Sequence, residues 1–207
     1  MFDLDGTLID SKNAILKSAK RILESLDIYS ISDSQILESI GLPIKTLFET
    51  ILSGEQLSAA VIEFQKDLLK TGASSTKIYP EVQYVLAELV NSGVNTAVVT
   101  NKPTKLAEEI LSNLKLDNYF QSIIGLGSGR LPKPSGQMLV ETMNFFGLST
   151  DIYMIGDRME DIQAAKCAGV KSILIKHEDH IESVSKGSNP DYALTSFKHL
   201  PNLILRT

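Results

Sequence analysis

Polar residues suited to phosphate chemistry occur at three separate places in the sequence, each directly after a short apolar run. Asp3 and Asp5 follow the opening residues MF. Thr100 and Asn101 follow the run AVV, and Asp157 follows the run MIG. If these runs are parallel strands, their carboxyl ends meet at one edge of a sheet, where open α/β proteins bind ligands. The spacing therefore predicts that the polar residues share one site.

The residue types at this predicted site indicate its chemistry. Carboxylates gathered in one place repel each other and need a cation, and oxygen ligands favour a hard ion such as Mg²⁺. A hydroxyl, an amide and the lysine at position 133 are donors suited to phosphate oxygens. No serine or cysteine stands beside a histidine in the sequence, so a carboxylate is the nucleophile that remains available. The acids concerned are Asp3, Asp5, Asp157 and Asp161.

Two patterns of hydrophobic periodicity divide the chain. From about residue 11 to residue 71, apolar residues recur at helical spacing without a convincing strand. From Tyr79 onward, short apolar strands alternate with amphipathic helices, which is typical of a parallel sheet covered on both faces. We therefore predict an α/β fold: a Rossmann-like parallel sheet core with an inserted all-helical cap. The predicted core comprises residues 1–11 and 76–207, and the predicted cap comprises residues 12–75.

The composition narrows the classes of partner and compartment. A chain of 207 residues with 43% hydrophobic and 22% charged residues has the balance of a soluble globular protein. Its net charge of −5, without basic runs, gives no reason to expect nucleic acid or an anionic membrane as a partner. The single cysteine, Cys167, cannot form an internal disulfide and is expected to be a structural thiol. No segment resembles a signal peptide or a membrane span, so we predict a cytoplasmic protein.

Four segments resemble, in order, the signatures of the haloacid dehalogenase-like superfamily. The run DLDGTLIDS at residues 3–11 resembles the first signature, and VVTNKP at residues 98–103 resembles the second. Lys133-Pro134 resembles the third, and IGDRMEDI at residues 155–162 resembles the fourth. The resemblance runs from Met1 to about Ile175. It is strongest to the phosphoglycolate phosphatase-like branch, for which VTNKP and GDRMEDIQAAKCAG are typical.

The resemblance implies a phosphatase reaction on a small phosphorylated metabolite. Asp3 would attack phosphorus and become phosphorylated, and its carboxylate needs no deprotonation at neutral pH. Asp5 would protonate the leaving oxygen and then activate water. Thr100 and Asn101 would bind the phosphate, and Lys133 would balance the charge of the nucleophile and the phosphoryl group.

The resemblance also implies the Mg²⁺ ligands. Asp3, the backbone carbonyl of Asp5, and Asp157 would hold the ion. Asp161 would be a further ligand, or would orient Lys133 or a bound water.

The sequence departs from the family pattern at three places. Only Met1 and Phe2 precede Asp3, so either the true start of the protein lies upstream or the first strand is unusually short. No second proline follows Pro134, and Arg158 stands where a small hydroxyl residue is frequent.

Several alternatives stay open at this point. Phosphoglycolate is the default substrate of the branch, and a nucleotide, a sugar phosphate or a pyrophosphate is compatible with the same motifs. A phosphomutase resembling β-phosphoglucomutase shares both aspartates and a helical cap, and a non-catalytic regulatory member would keep the fold alone. A dehalogenase or phosphonatase is disfavoured, because neither keeps an acid at position 5. Monomer and homodimer are both compatible with the sequence.

Other charged residues are expected to have ordinary roles. His177 and His180 are predicted to lie in a solvated loop with Glu178 and Asp179. Lys102 and Lys105 are expected to flank the start of a helix and Arg130 to lie in a loop, with contact to an anionic substrate as the alternative for each.

Overall fold

The computed structural model describes residues 1–127, 129–147, 151–177 and 189–205. Its strands are β1 (Ile9–Asp10), β2 (Lys77–Ile78), β3 (Ala97–Pro103), β4 (Ser122–Leu126), β5 (Tyr153–Gly156), β6 (Lys171–Ile175) and β7 (Tyr192–Leu194). Its α-helices are α1 (Lys12–Ser25), α2 (Asp33–Glu38), α3 (Ile44–Phe48), α4 (Gly54–Thr71), α5 (Val82–Asn91), α6 (Thr104–Asn113), α7 (Gln137–Phe146), α8 (Met159–Ala168) and α9 (Leu200–Ile204).

A parallel sheet forms the centre of the molecule. β3 pairs with β4, and β5 pairs with β6, which pairs with β7. Phe2 joins these two groups, because it forms parallel bridges to Val98 of β3 and to Ile155 of β5. Asp3 N donates to Ile155 O at 2.8 Å and so continues this short central segment. The nucleophile candidate therefore stands at the middle of the sheet, directly after the shortest pairing segment, as the sequence predicts.

Both faces of the sheet are buried, which is why its strands are apolar without alternation. Val98 and Ile155 belong to the hydrophobic cluster on one face, while their neighbours Val99 and Met154 belong to the cluster on the other. Full burial of an aliphatic side chain contributes about 1.5–3 kcal/mol. The sheet therefore holds the residues at its carboxyl edge on a rigid support.

The helices α1 to α4 form a separate layer with its own apolar core. Ala19, Phe48 and Phe64 lie in this cluster, and Leu106 of α6 joins it from the sheet domain. Arg21 Nε donates to Asp67 Oδ1 at 3.0 Å and ties α1 to α4. The prediction of an α/β core with an inserted helical cap is confirmed by this arrangement.

Some details differ from the sequence prediction. The antiparallel pair β1–β2 was missed, because two residues per strand give no periodicity. β3 extends to Pro103, and the register of its pairing with β4 shifts between Val99 and Pro103. Cys167 is exposed on α8, which does not fit the expectation of a structural thiol. Among the described residues, none of the helices has the length and apolarity that crossing a membrane would require.

Candidate active site

A buried lysine stands between two carboxylates at the carboxyl edge of the sheet. Lys133 Nζ lies 2.8 Å from Asp3 Oδ1 and 2.5 Å from Asp161 Oδ1. The same ammonium group donates to Val99 O at 3.0 Å. Only 2% of Lys133 is exposed, so these charge-assisted bonds are shielded from water. The sequence regions of the first, third and fourth signatures thus meet at one ammonium group.

Three buried acids converge beside this lysine. Asp3, Asp157 and Asp161 each present a carboxylate oxygen, and the three oxygens lie within 4.8 Å of one another. Thr7 Oγ1 donates to Asp157 Oδ1 at 2.8 Å, which fixes the orientation of that carboxylate. Lys133 pairs with only two of these three carboxylates, Asp3 and Asp161, so negative charge is in excess. Oxygen donors at this spacing fit a hard divalent cation such as Mg²⁺.

The pKa shifts report the same excess of negative charge. Burial raises the pKa of Asp3 to about 6, opposed by Lys133 and increased by Asp161. Burial also raises the pKa of Asp157 well above its ordinary value, and the charges of Asp161 and Asp3 add to the shift. For Lys133, burial alone would lower the pKa, but Asp161 and Asp3 outweigh it and raise the pKa. Without a cation, the folded site therefore disfavours the ionised forms of Asp3 and Asp157.

Asp5 faces away from the three clustered acids. Ser11 Oγ donates to its Oδ1 at 2.6 Å, and Lys102 Nζ lies 2.9 Å from its Oδ2. Its side chain lines a small cavity between the sheet and the cap, together with Thr100 and Asn101. The structure thus places the side chain of the predicted acid–base residue in the cavity between the sheet and the cap.

Asn101 connects the lysine segment to the cap. Its Oδ1 accepts a hydrogen bond from Lys133 N at 2.8 Å, and its Nδ2 donates to Lys133 O at 3.2 Å. Nδ2 also donates to Gly41 O at 3.0 Å. Thr100 Oγ1 accepts a hydrogen bond from Lys102 N at 3.2 Å. Asn101 therefore positions Lys133, a role that the sequence did not predict.

Two further side chains were misjudged from the sequence. Lys102 does stand directly before the N-cap of α6, but it lies buried in β3, and its ion pair with Asp5 brings it into the site. The sequence contained one indication that Lys102 lies at the site. Side chains alternate along a strand, which puts Lys102 on the same face of β3 as Thr100. His177 is half-buried rather than solvated, with Nε2 3.0 Å from Thr7 O and its ring stacked on Tyr79.

The remaining charged candidates have ordinary positions. Lys105 is exposed, and Arg130 forms an ion pair with Glu141 at 2.6 Å. Glu178, Asp179 and His180 lie outside the described residues.

Gly6 gives the first site loop its shape. Its φ of +82° is one that other residues rarely adopt, and an added Cβ would lie 2.3 Å from Asp157 Oδ2. We expect Gly6→Ala to displace Asp157 and to lower the free energy of unfolding by about 2 kcal/mol. Thermal unfolding with and without Mg²⁺ measures both effects. Gly93→Ala is the matched control, since its φ is +80° and an added Cβ would meet nothing within 4 Å. Equal losses in both variants would show that backbone strain alone is responsible.

Comparison with known proteins identifies the family. The model of the haloacid dehalogenase-like hydrolase family matches residues 1–175. This chain belongs to the haloacid dehalogenase-like hydrolases. Within the family it is similar to phosphoglycolate phosphatases, as the sequence motifs predict.

Individual relatives span nearly the whole chain. A phosphoglycolate phosphatase of Aquifex aeolicus is 34% identical over 175 residues, which are 84% of this chain and 82% of the relative. A phosphoglycolate phosphatase of Vibrio parahaemolyticus is 31% identical and covers 98% of this chain and 94% of its own length. The crystal structure of a predicted phosphatase from Clostridium acetobutylicum has a TM-score of 0.86 at 30% identity, covering 100% of this chain and 97% of that one.

Proposed function

We propose that this protein is a Mg²⁺-dependent phosphatase that hydrolyses a small phosphomonoester through an aspartyl-phosphate on Asp3. The observation that carries the proposal is the buried cluster in which Lys133 bridges Asp3 and Asp161 at 2.8 and 2.5 Å. Held in this way, the lysine would orient the carboxylate of Asp3 and partly neutralise its charge. The names of the relatives support a phosphate ester as the substrate.

The proposed reaction has two steps, and the chain's own residues account for both. In the first, a carboxylate oxygen of Asp3 forms a bond to phosphorus as the bond to the leaving oxygen breaks, and Asp5 gives that oxygen a proton. In the second, Asp5 takes a proton from a water that attacks phosphorus, and the bond to Asp3 breaks. Inorganic phosphate and the original carboxylate result. Thr100 and Lys133 would contact the phosphoryl oxygens throughout.

The cation would be held by Asp3, Asp157 and the backbone carbonyl of Asp5. When bound, Mg²⁺ would offset the charge of these carboxylates and of the phosphoryl oxygens. Both oxygens of Asp161 are already engaged, one by Lys133 Nζ and the other by Arg158 N at 3.1 Å. This supports the alternative in which Asp161 orients Lys133 and is not itself a ligand.

We propose that the cap, residues 12–75, selects the substrate and that the core, residues 1–11 and 76–207, performs the chemistry. The cleft beside the acids is bounded by Leu37 and Ile40 from the cap and by Lys12 at its hinge. Two cations, Lys12 and Arg158, line this cleft beside the apolar Leu37 and Ile40, which suits a small anionic molecule such as a phosphorylated hydroxy acid. Phosphoglycolate is the first candidate.

A panel of phosphorylated metabolites tests the proposed function. Purified protein with Mg²⁺ is assayed for phosphate release from phosphoglycolate, a nucleotide, a sugar phosphate and pyrophosphate. We expect release from at least one small ester and loss of activity with a chelator. Isomerisation of the sugar phosphate without phosphate release would indicate a phosphomutase. No turnover of any compound, in a protein that binds Mg²⁺, would contradict a phosphatase.

Mg²⁺ binding should strengthen as the pH rises. The folded-state pKa of Asp3 is about 6, above its ordinary value, so its protonation stabilises the fold below about pH 4 and this contribution is lost as pH passes about 6. Mg²⁺ binds the deprotonated acid. We therefore expect the rise in Tm caused by Mg²⁺ to be larger at about pH 7.5 than at about pH 5. Equal rises at both pH values would contradict a site built on Asp3.

A further inference from the structure

The loop between α2 and α3 is tied to the metal-binding segment by one arginine. We call residues 38–41, which are the last residue of α2 and the first part of this loop, the cap loop. Arg158 follows Asp157 directly, and its Nη1 donates to Glu38 O at 3.2 Å and to Ile40 O. Its Nε donates to Glu160 Oε2 at 3.2 Å, which holds the guanidinium in place. The arginine thus reaches from the acid cluster to two backbone carbonyls of the cap.

The cap loop is fitted closely to this side chain. Gly41 has a φ of +90°, and a Cβ added there would lie 2.4 Å from Arg158 Cδ. On the other side of the site, Asn101 Nδ2 donates to Gly41 O at 3.0 Å. The cap loop is therefore held by side chains from two different signature segments. Ile40 and Gly41 line the cavity that contains Asp5 and Thr100.

We propose that Arg158 is a positioning residue that holds the cap loop over the nucleophile and thereby limits the size of the substrate that enters. It does not touch the reacting atoms in this proposal. Nη1 donates to both carbonyls while the separate Nε is held by Glu160, and a lysine has no second nitrogen to be held in this way, whereas a small hydroxyl is too short to reach the carbonyls. Losing the contact would free the loop and widen the entrance while leaving Asp3, Lys133 and Asp161 in place. The effect on turnover rests on the proposed phosphatase function, and the effect on the loop does not.

Hydrogen exchange of the whole protein measures the loop directly. Arg158→Ala and Arg158→Lys are compared with Arg130→Ala, whose arginine is similarly exposed but pairs with Glu141, away from the cap. We expect exchange in peptides covering residues 36–44 to rise about tenfold in Arg158→Ala, since two hydrogen bonds from a charged donor are lost. Arg158→Lys should show an intermediate rise, and Arg130→Ala none.

Kinetics separate positioning from catalysis. With the ester that wild-type protein hydrolyses best, Arg158→Ala should raise KM about tenfold and change kcat less than about threefold. In Arg158→Ala, kcat/KM should fall less for bulkier esters than for small ones. The charge of Arg158 also lowers the pKa of Asp157, so the Mg²⁺ concentration for half-maximal activity is measured in each variant. Arg158→Lys retains that charge and should keep the wild-type Mg²⁺ requirement.

Two results would overturn the proposal. Unchanged exchange of residues 36–44 in Arg158→Ala would show that the cap loop does not depend on the arginine. Wild-type behaviour of Arg158→Lys in exchange and in KM would show that only the charge matters. If wild-type protein releases no phosphate from any ester, the proposed function fails while the exchange experiment still decides the role of Arg158.

Discussion

Replacing Asp3 with asparagine is expected to lower the kcat of phosphate release at least about 10⁴-fold, because the amide cannot form the covalent intermediate. The fold should survive the change. Asparagine has nearly the same shape, and Lys133 keeps Asp161 and Val99 O as partners. Since burial and neighbouring acids disfavour the Asp3 carboxylate, its neutralisation should leave Tm unchanged or slightly raised without Mg²⁺. Phosphate release and thermal unfolding are the two measurements.

Asp33→Asn provides the matched control for this substitution. Asp33 lies on the cap surface, where it pairs with Lys20 at 2.8 Å and is half exposed. Exposed pairs of this kind contribute about 0–1 kcal/mol, so the control should retain full activity and nearly the same Tm. Residual activity of Asp3→Asn above a few per cent of wild type would count against Asp3 as the nucleophile.

Replacing Lys133 with methionine is expected to have the largest effect on stability. Lys133 is the ammonium group placed between Asp3 and Asp161, and its removal leaves buried acids without that counter-charge. Breaking a buried pair in this way costs about 3–5 kcal/mol. Loss of the charge that faces the phosphoryl group should also reduce kcat about 10²–10³-fold. Denaturant unfolding and phosphate release measure the two losses.

The conditions of the Lys133 experiment distinguish electrostatics from packing. If repulsion among the acids is the cause, the stability deficit of Lys133→Met should shrink on lowering the pH to about 5 and on adding Mg²⁺, because both reduce the negative charge. Lys105→Met, at an exposed position, should show no deficit. A deficit that is independent of pH and Mg²⁺ would indicate lost packing instead.

The fold and the acids could be predicted from the sequence because both depend on local patterns. Apolar runs mark the strands, and parallel strands bring their carboxyl ends to one edge, so Asp3, Thr100 and Asp157 were expected together. Lys133 is a suitable phosphate donor by its residue type, but only the family resemblance assigned it to this site. It lies in a loop after β4, and nothing in its immediate neighbours distinguishes it from a solvated lysine.

Other features of the site had a weak local signal or none. Lys102 was assigned only to a helix start, because the extension of β3 to Pro103 depends on its irregular pairing with β4. Arg158 contacts carbonyls 118 and 120 positions away, and a backbone carbonyl looks the same at every residue of a sequence. The double role of Asn101, toward Lys133 and toward Gly41, likewise depends on how the cap rests on the core. These contacts are tertiary, and only the folded chain displays them.

The most direct test of the central claim is to trap the covalent intermediate. Protein is mixed with Mg²⁺ and an ester labelled in its phosphoryl group, quenched in acid within one turnover, digested and mapped by mass spectrometry. We predict a phosphorylated carboxylate at Asp3 in the wild-type protein and no phosphorylated residue in Asp3→Asn. Turnover accompanied by label on another residue, or by no label at any quench time, would contradict it.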